Sequence, residues 1–328
     1  MKSPIKRKSP IKRKSRLKSP IKRKVAFSMD ETDKNITLVI ENKEYKAKNI
    51  FSGKSGLGIF LITIDGKDYI FKYIKHSKYL KTDFKTIYSE SDLYLTANRS
   101  NISGIVPKIY KLSSNGIRIF PKNSVKNYMV TATSNNDVYT GFIMENVKTN
   151  DYIELDEFLT NFCSSLTNDI KNNKDDVIKD DFKRLEVFKN IIINLVKYTN
   201  TDTFMHCDLH PLNIFIHTRT GAIKLIDFGL SKFNLSEEPK KLSCDKQRSS
   251  TKKLMETSNK CFGKSLLFQL DKINIFNSKS FSENNLSNDN GMIYEYIKIY
   301  NRIKSKVEKR MLRYIENNDT KLFMINKL

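Results

Sequence analysis

The chain has 328 residues and a formal net charge of +23, long enough for one large domain or two lobes with a real core. Its hydrophobic content of 39% is ordinary for a soluble globular protein, no apolar run approaches the roughly 20 residues of a membrane span, and the N-terminus lacks the apolar core of a secretory signal. Cys163, Cys207, Cys244 and Cys261 show no Cys-x-x-Cys spacing, so they read as free thiols of a soluble intracellular protein in a reducing compartment, and they support no zinc site.

The positive charge is uneven. Ser-Pro-Ile-Lys-Arg-Lys occurs at Ser3–Lys8, Ser9–Lys14 and Ser19–Lys24, and residues 1–24 carry no acid. So short and basic a repeat cannot bury a core and is expected to be a disordered arm. Its chemistry suits non-specific contact with nucleic acid or acidic proteins, with salt-sensitive affinity. It has no aromatic residue on which bases would stack, so it offers no sequence-specific readout.

Residues 36–75 predict successive strands. Ile36–Ile40 is strongly β-forming, Asp65-Gly66 is a turn pair, and Tyr69-Ile70-Phe71-Lys72 is an apolar strand ending on a lysine. Between them lies Gly53-Lys54-Ser55-Gly56-Leu57-Gly58, where glycines let backbone approach a phosphate with no Cβ in the way. Residues 84–98 predict a helix with Ile87, Tyr88, Tyr94 and Leu95 on its apolar face and Glu90 along it. Gly141–Val147 predicts another strand, and Asp156 opens a helix. Residues 168–181 are polar and predict a loop. From Phe182, the positions Leu185, Phe188, Ile192, Leu195 and Val196 share one helical face.

Two short apolar runs follow, Ile214–Ile216 and Ile223–Ile226, across a turn-prone Thr-Arg-Thr-Gly segment. As a hairpin they bring Asp208, Asn213 and Asp227 to one end. Two carboxylates and an amide oxygen suit a hard cation such as Mg²⁺, which is usually shared with phosphate. The carboxylate not needed for metal is free to orient or deprotonate an alcohol. Near the C-terminus, Ile293, Ile297, Tyr300, Val307, Met311 and Ile315 mark a long amphipathic packing helix.

The stretch from His206 to Gly229 resembles the catalytic core of the protein-kinase superfamily, His-x-Asp-Leu-x-x-x-x-Asn followed by Asp-Phe-Gly, through His206, Asp208, Leu209, Asn213 and Asp227-Phe228-Gly229. The resemblance implies roles elsewhere. Gly53, Lys54, Ser55, Gly56, Leu57 and Gly58 become the glycine-rich loop, with Ser55 where the middle glycine is usual. Phe60 takes the place of a valine over the base. Lys72 becomes the phosphate-binding lysine and Glu90 its carboxylate partner, with Asp92 and Asp83 as rivals. Met144 becomes the gatekeeper, and the Glu145 carbonyl and Val147 amide face the adenine edge. Asp208 accepts or positions the hydroxyl proton, Asn213 and Asp227 hold Mg²⁺, and His206 packs under Phe228.

The sequence also departs from the family. Cys207 replaces an arginine that normally meets a phosphorylated loop. His210 replaces the lysine usual in Ser/Thr kinases, as in haspin-type, aminoglycoside and choline kinases. Residues 234–262 contain no Ala-Pro-Glu, and Phe262–Leu267, the expected next core helix, lacks its aspartate.

The reading is an α+β, bilobal protein-kinase-like fold. A tail over 1–30 precedes a β-rich N-lobe with one helix over 31–146 and a mainly helical C-lobe over 147–328, divergent after about residue 235. The expected activity is ATP- and Mg²⁺-dependent Ser/Thr protein kinase, acting on acidic or phosphorylated protein substrates. Residue usage and the basic tail resemble kinases of large DNA viruses. The competing readings are a small-molecule kinase, favoured by His210 and the missing Ala-Pro-Glu, and a catalytically inert scaffold, opposed by the joint presence of Lys72, Asp208, Asn213 and Asp227.

Overall fold

The structure is a computed structural model, and it describes residues 35–52, 57–76, 84–113, 116–119, 128–168, 175–199, 203–234, 244, 253–254, 256–257 and 289–325. The basic repeats, residues 53–56 of the glycine-rich segment, Asp83 and Phe262–Leu267 lie outside the described residues.

The N-terminal half is built from strands. They are β1 (Asn35–Ile40), β2 (Lys43–Ser52), β3 (Leu57–Ile64), β4 (Lys67–Lys75), β5 (Ile109–Ser113), β6 (Gly116–Ile119), β7 (Val130–Ser134) and β8 (Asp137–Glu145). All pairings in their sheet are antiparallel, in the order β4-β3-β2-β1-β7-β8-β5-β6. A further pairing of β4 with β8 closes six of these strands into a ring. Strand alternation then sends every second side chain inside. Leu38 and Ile40, Phe60 and Ile62, Phe71 and Tyr73, Ala132 and Tyr139 form one buried cluster there. Phe60 and Tyr73 stack at 4.3 Å, with Tyr139 edge-on to both. Gly141 is needed on β8, because a Cβ there would come within 2.0 Å of the Lys72 carbonyl. Its absence lets β8 close against β4 at the lysine.

The predicted helix is α1 (Phe84–Arg99). Its buried face carries Ile87, Tyr94 and Ala97, with Glu90 and Ser91 among them. The C-terminal half is mainly helical, with α2 (Leu155–Asn168), α3 (Asp175–Thr199) and α4 (Asp289–Ile325). Five short strands accompany them: β9 (Tyr152–Glu154), β11 (Ile214–His217) and β12 (Ile223–Leu225) form a three-stranded sheet in the order β12-β11-β9, and β10 (Phe204–Met205) pairs with β13 (Lys232–Phe233). The predicted hairpin is β11 paired with β12, in the register Ile214↔Leu225, Phe215↔Lys224 and Ile216↔Ile223. One core runs from α1 through β8 to α2, α3, the hairpin and α4. Among the described residues no helix is long and apolar enough to cross a membrane.

Two expectations are corrected here. The loop expected over 168–181 is helical from Asp175 onward. Buried Asp181 pairs there with Arg310 of α4 at 2.8 Å. The terminal helix exists, but its buried stripe is Met292, Ile293, Tyr296, Ile299, Ile303 and Val307. Ile297 and Tyr300 are only partly buried and Met311 is 41% exposed. The Ile315 side chain lies outside the described residues.

Candidate active site

Lys72 lies on the face of β4 opposite the barrel interior, beside Ile70 and Ile74. Its ammonium forms an ion pair with Glu90 Oε1 of α1 and lies 3.1 Å from Asp227 Oδ1, just beyond β12. Burial works against its charge, but Glu90 and then Asp227 outweigh burial and hold the ammonium above the ordinary lysine range. Burial also works against Asp227, and Lys72 overrides it, keeping that carboxyl below the usual range. Glu90, 4% exposed, is therefore the lysine's partner on α1, and Asp92 is instead hydrogen-bonded by Tyr128.

Asp227 is held in a left-handed conformation, φ 63° and ψ 67°, uncommon for a residue with a Cβ. Two neighbours keep it there. Its N–H donates to the Tyr94 hydroxyl at 2.8 Å, and Phe228 is driven into the core against Tyr94 and His206. His206 Nε2 donates to the Ile226 carbonyl at 2.9 Å. Burial pushes its pKa down to about 4, so the ring is neutral and structural, packed under Phe228 as expected.

Asn213 closes the other side. Its Nδ2 donates to the Asp208 carbonyl at 3.0 Å and to Asp208 Oδ2 at 3.2 Å, while its own carbonyl accepts from Ile226 N–H at 3.0 Å. The hairpin thus ties Asp208 and Asn213 to the residue before Asp227. The amide nitrogen is committed to Asp208, leaving the oxygen end for a cation, and Lys72 engages Asp227 through Oδ1. The described residues contain no cluster of three or more His, Cys, Asp or Glu side chains that would hold a metal alone. One carboxylate and one amide oxygen nevertheless fit Mg²⁺, which commonly takes one or two protein ligands and completes its shell with phosphate and water.

The remaining predicted positions divide. Gly58 and Leu57 open β3, and a Cβ on Gly58 would meet the Tyr73 ring at 2.3 Å, so this glycine answers to barrel packing. Phe60 does not cover a base. It is 2% exposed inside the barrel, opposite Phe71, and its neighbour Ile59 pairs with Lys72 and shares that residue's face. The family resemblance implies an aromatic over the base, but strand alternation turns it inward. Met144 is buried between Ile70 and Ile109. The Glu145 N–H donates to the Lys108 carbonyl, and its carboxylate accepts from Lys108 N–H and pairs with Lys224 at 3.3 Å. Val147 is buried nearby.

Sequence reasoning missed three groups. Cys207 is disulfide-bonded to Cys244, with Cα atoms 5.4 Å apart, and Cys163 is also disulfide-bonded. The expectation of free thiols is therefore wrong. Its basis was the lack of close Cys spacing, whereas this pair is separated by 37 positions. A disulfide persists in oxidising surroundings, which removes that ground for a reducing compartment. The second is Asp289, the first residue of α4. It accepts the His206 N–H at 2.6 Å and the Cys207 N–H at 2.9 Å, and burial pushes its carboxyl up to about 7 against those two amides. Tyr296 of the same helix also donates to the Leu209 carbonyl at 2.9 Å. The third is Lys253, whose Nζ lies 2.7 Å from His210 Nε2.

Residues 46–251 match the family model described as the protein kinase domain. A protein of Dictyostelium discoideum described as a probable serine/threonine-protein kinase is 37% identical over 79 residues, which is 23% of this chain and 15% of that protein. A solved kinase domain is 17% identical, covering 65% of this chain and 57% of its own, with a TM-score of 0.36. The chain therefore spans a small part of the curated relative and little more than half of the structural one.

Proposed function

The chain belongs to the protein kinase family, and from that premise we propose that it transfers the γ-phosphoryl group of ATP to a serine or threonine hydroxyl of a protein. One observation carries this reading: Lys72 is engaged at once by Glu90 and Asp227, beside a hairpin that ties Asp208 to Asn213. An ammonium held by two carboxylates stays charged and fixed, as binding a nucleotide's phosphates requires. Asp227 and Asn213 would hold Mg²⁺, which when bound offsets charge on the phosphates. Asp208 orients the acceptor hydroxyl. Its oxygen forms a bond to the γ-phosphorus as the bond from that phosphorus to the β,γ-bridging oxygen breaks. The leaving diphosphate keeps that electron pair, and the hydroxyl proton passes to Asp208 and then to water.

Serine/threonine acceptors are supported by the name of the Dictyostelium relative. The excess of lysine and arginine over acids in residues 234–262 favours acidic or phosphorylated protein segments. Labelled ATP with Mg²⁺, offered histone, casein and the protein itself, tests the reading. The expected result is phosphoserine or phosphothreonine in a protein acceptor, with kcat reduced roughly 10²–10⁴-fold by Asp208→Asn. Transfer only to small alcohols or aminoglycosides, or nucleotide binding without turnover, contradicts it.

A further inference from the structure

The acceptor end of the site holds a cation that the roles above leave unused. Lys253 is exposed, and its Nζ lies 2.7 Å from Nε2 of the buried His210. The same imidazole nitrogen is 3.7 Å from Asp208 Oδ2. An ammonium only donates, so Nε2 accepts and the imidazole is neutral. That nitrogen then has no proton for Asp208, but by holding the ammonium it places a full positive charge close to the carboxylate that faces the acceptor. The placement is built into the fold. The Thr257 hydroxyl bonds to Asp156 in the first turn of α2 and lies 3.2 Å from the Lys253 carbonyl, fixing the backbone one turn away.

The charge is needed there. Lys72 is committed at the nucleotide side to Glu90 and Asp227. Residues 203–217, which carry Asp208, contain no lysine or arginine. Phosphoryl transfer spreads negative charge over the three equatorial oxygens of the group in flight, between donor and acceptor. A cation poised beside Asp208 stabilises that charge from the acceptor side, while the substrate alone gains little. We propose that Lys253 is a catalytic residue that binds the transferred phosphoryl group, and that His210 is the positioning residue that holds its ammonium at Asp208. This rests on the phosphotransferase reading above. It also assigns a function to a residue beyond the end of the family match at residue 251.

The experiment compares wild type, Lys253→Met, Lys253→Arg, His210→Ala and the Lys253→Met/His210→Ala double variant in labelled-ATP transfer, with ATP KM and the MgADP-induced Tm shift measured in parallel. Lys253→Met is expected to lower kcat roughly 10–100-fold with ATP KM and the MgADP shift nearly unchanged, and Lys253→Arg to keep most of the activity. His210→Ala is expected to lower kcat less, and the double variant to be no worse than Lys253→Met, because both act through one ammonium. If Lys253→Met does not fold, Lys253→Gln carries the same comparison. A kcat within about twofold of wild type for the charge-removing variant, or losses that multiply in the double variant, overturns the proposal. Wild type that is active and sensitive to Asp208→Asn with Lys253→Met unaffected refutes this assignment alone. Inactive wild type refutes the kinase reading and this proposal with it.

Discussion

At the proposed nucleotide end of the site, every group sits on a regular element or directly after one, long though the chain between them is: Lys72 on β4, Glu90 in α1 at a separation of 18 positions, and Asp227 just past a tight hairpin at a separation of 155. At the acceptor end, Asp208 is supported by chain that arrives from far away, through Cys244 on Cys207, Lys253 on His210 and Asp289 on two backbone amides. The first end is set by strands, a helix and the hairpin, the second by chain that lies downstream of that hairpin. The difference teaches that the loop carrying Asp208 depends on residues well downstream of the hairpin, so damage to that chain should act on the acceptor end first.

The disulfide offers the largest expected break in this contrast. Cys244→Ala opens a closure spanning 37 positions and is expected to cost about 4 kcal/mol of stability, read by chemical denaturation under oxidising conditions. Affinity for MgADP in the folded protein should change little, because Lys72 and Asp227 are untouched. Next comes Asp289→Ala, which strands two buried N–H groups and is expected to cost about 3 kcal/mol. Asp289→Asn should recover part of that loss, since the amide oxygen still accepts.

The pH dependence sharpens the comparison further. His206 stays neutral in the fold down to about pH 4, whereas the unfolded chain protonates it near 6.5. The unfolded state therefore binds more protons between those values, and stability falls as pH drops through that window, by about 3 kcal/mol from this residue. Denaturation at pH 7 and pH 4.5 should show a smaller acid loss in His206→Asn than in wild type. The smallest effect separates the two faces of β3. Phe60→Leu should cost roughly 1–2 kcal/mol of stability with ATP KM unchanged, while Ile59→Ala should raise ATP KM with the smaller stability loss. The reverse pattern would restore Phe60 to the base.

Much of the nucleotide end was legible in the sequence because local periodicity carries it. The apolar run 69–72 predicts the strand that carries Lys72 and helical spacing predicts the helix that carries Glu90, the choice of these two side chains coming from the family resemblance, while the Ile214–Ile216/Ile223–Ile226 hairpin brings Asn213 and Asp227 to one end. What failed to be legible has no local signature. Nothing in the spacing of Cys207 and Cys244 announces a pair, and Asp289 stands among asparagines and serines that carry no apolar periodicity. The closed barrel was also hidden, because the return of β1 to β7 depends on a pairing across some ninety positions. Phe60 was misplaced for a different reason: motif alignment fixes its number along the strand, and only register fixes its face.

The central claim is that Lys72, Asp208, Asn213 and Asp227 form one nucleotide-and-metal site. Calorimetric titration of a non-hydrolysable ATP analogue, with and without Mg²⁺, into wild type and Asp227→Asn tests it most directly. The account predicts that Mg²⁺ tightens binding to wild type and that most of this gain disappears in the variant. An equal gain from Mg²⁺ in both proteins would contradict it.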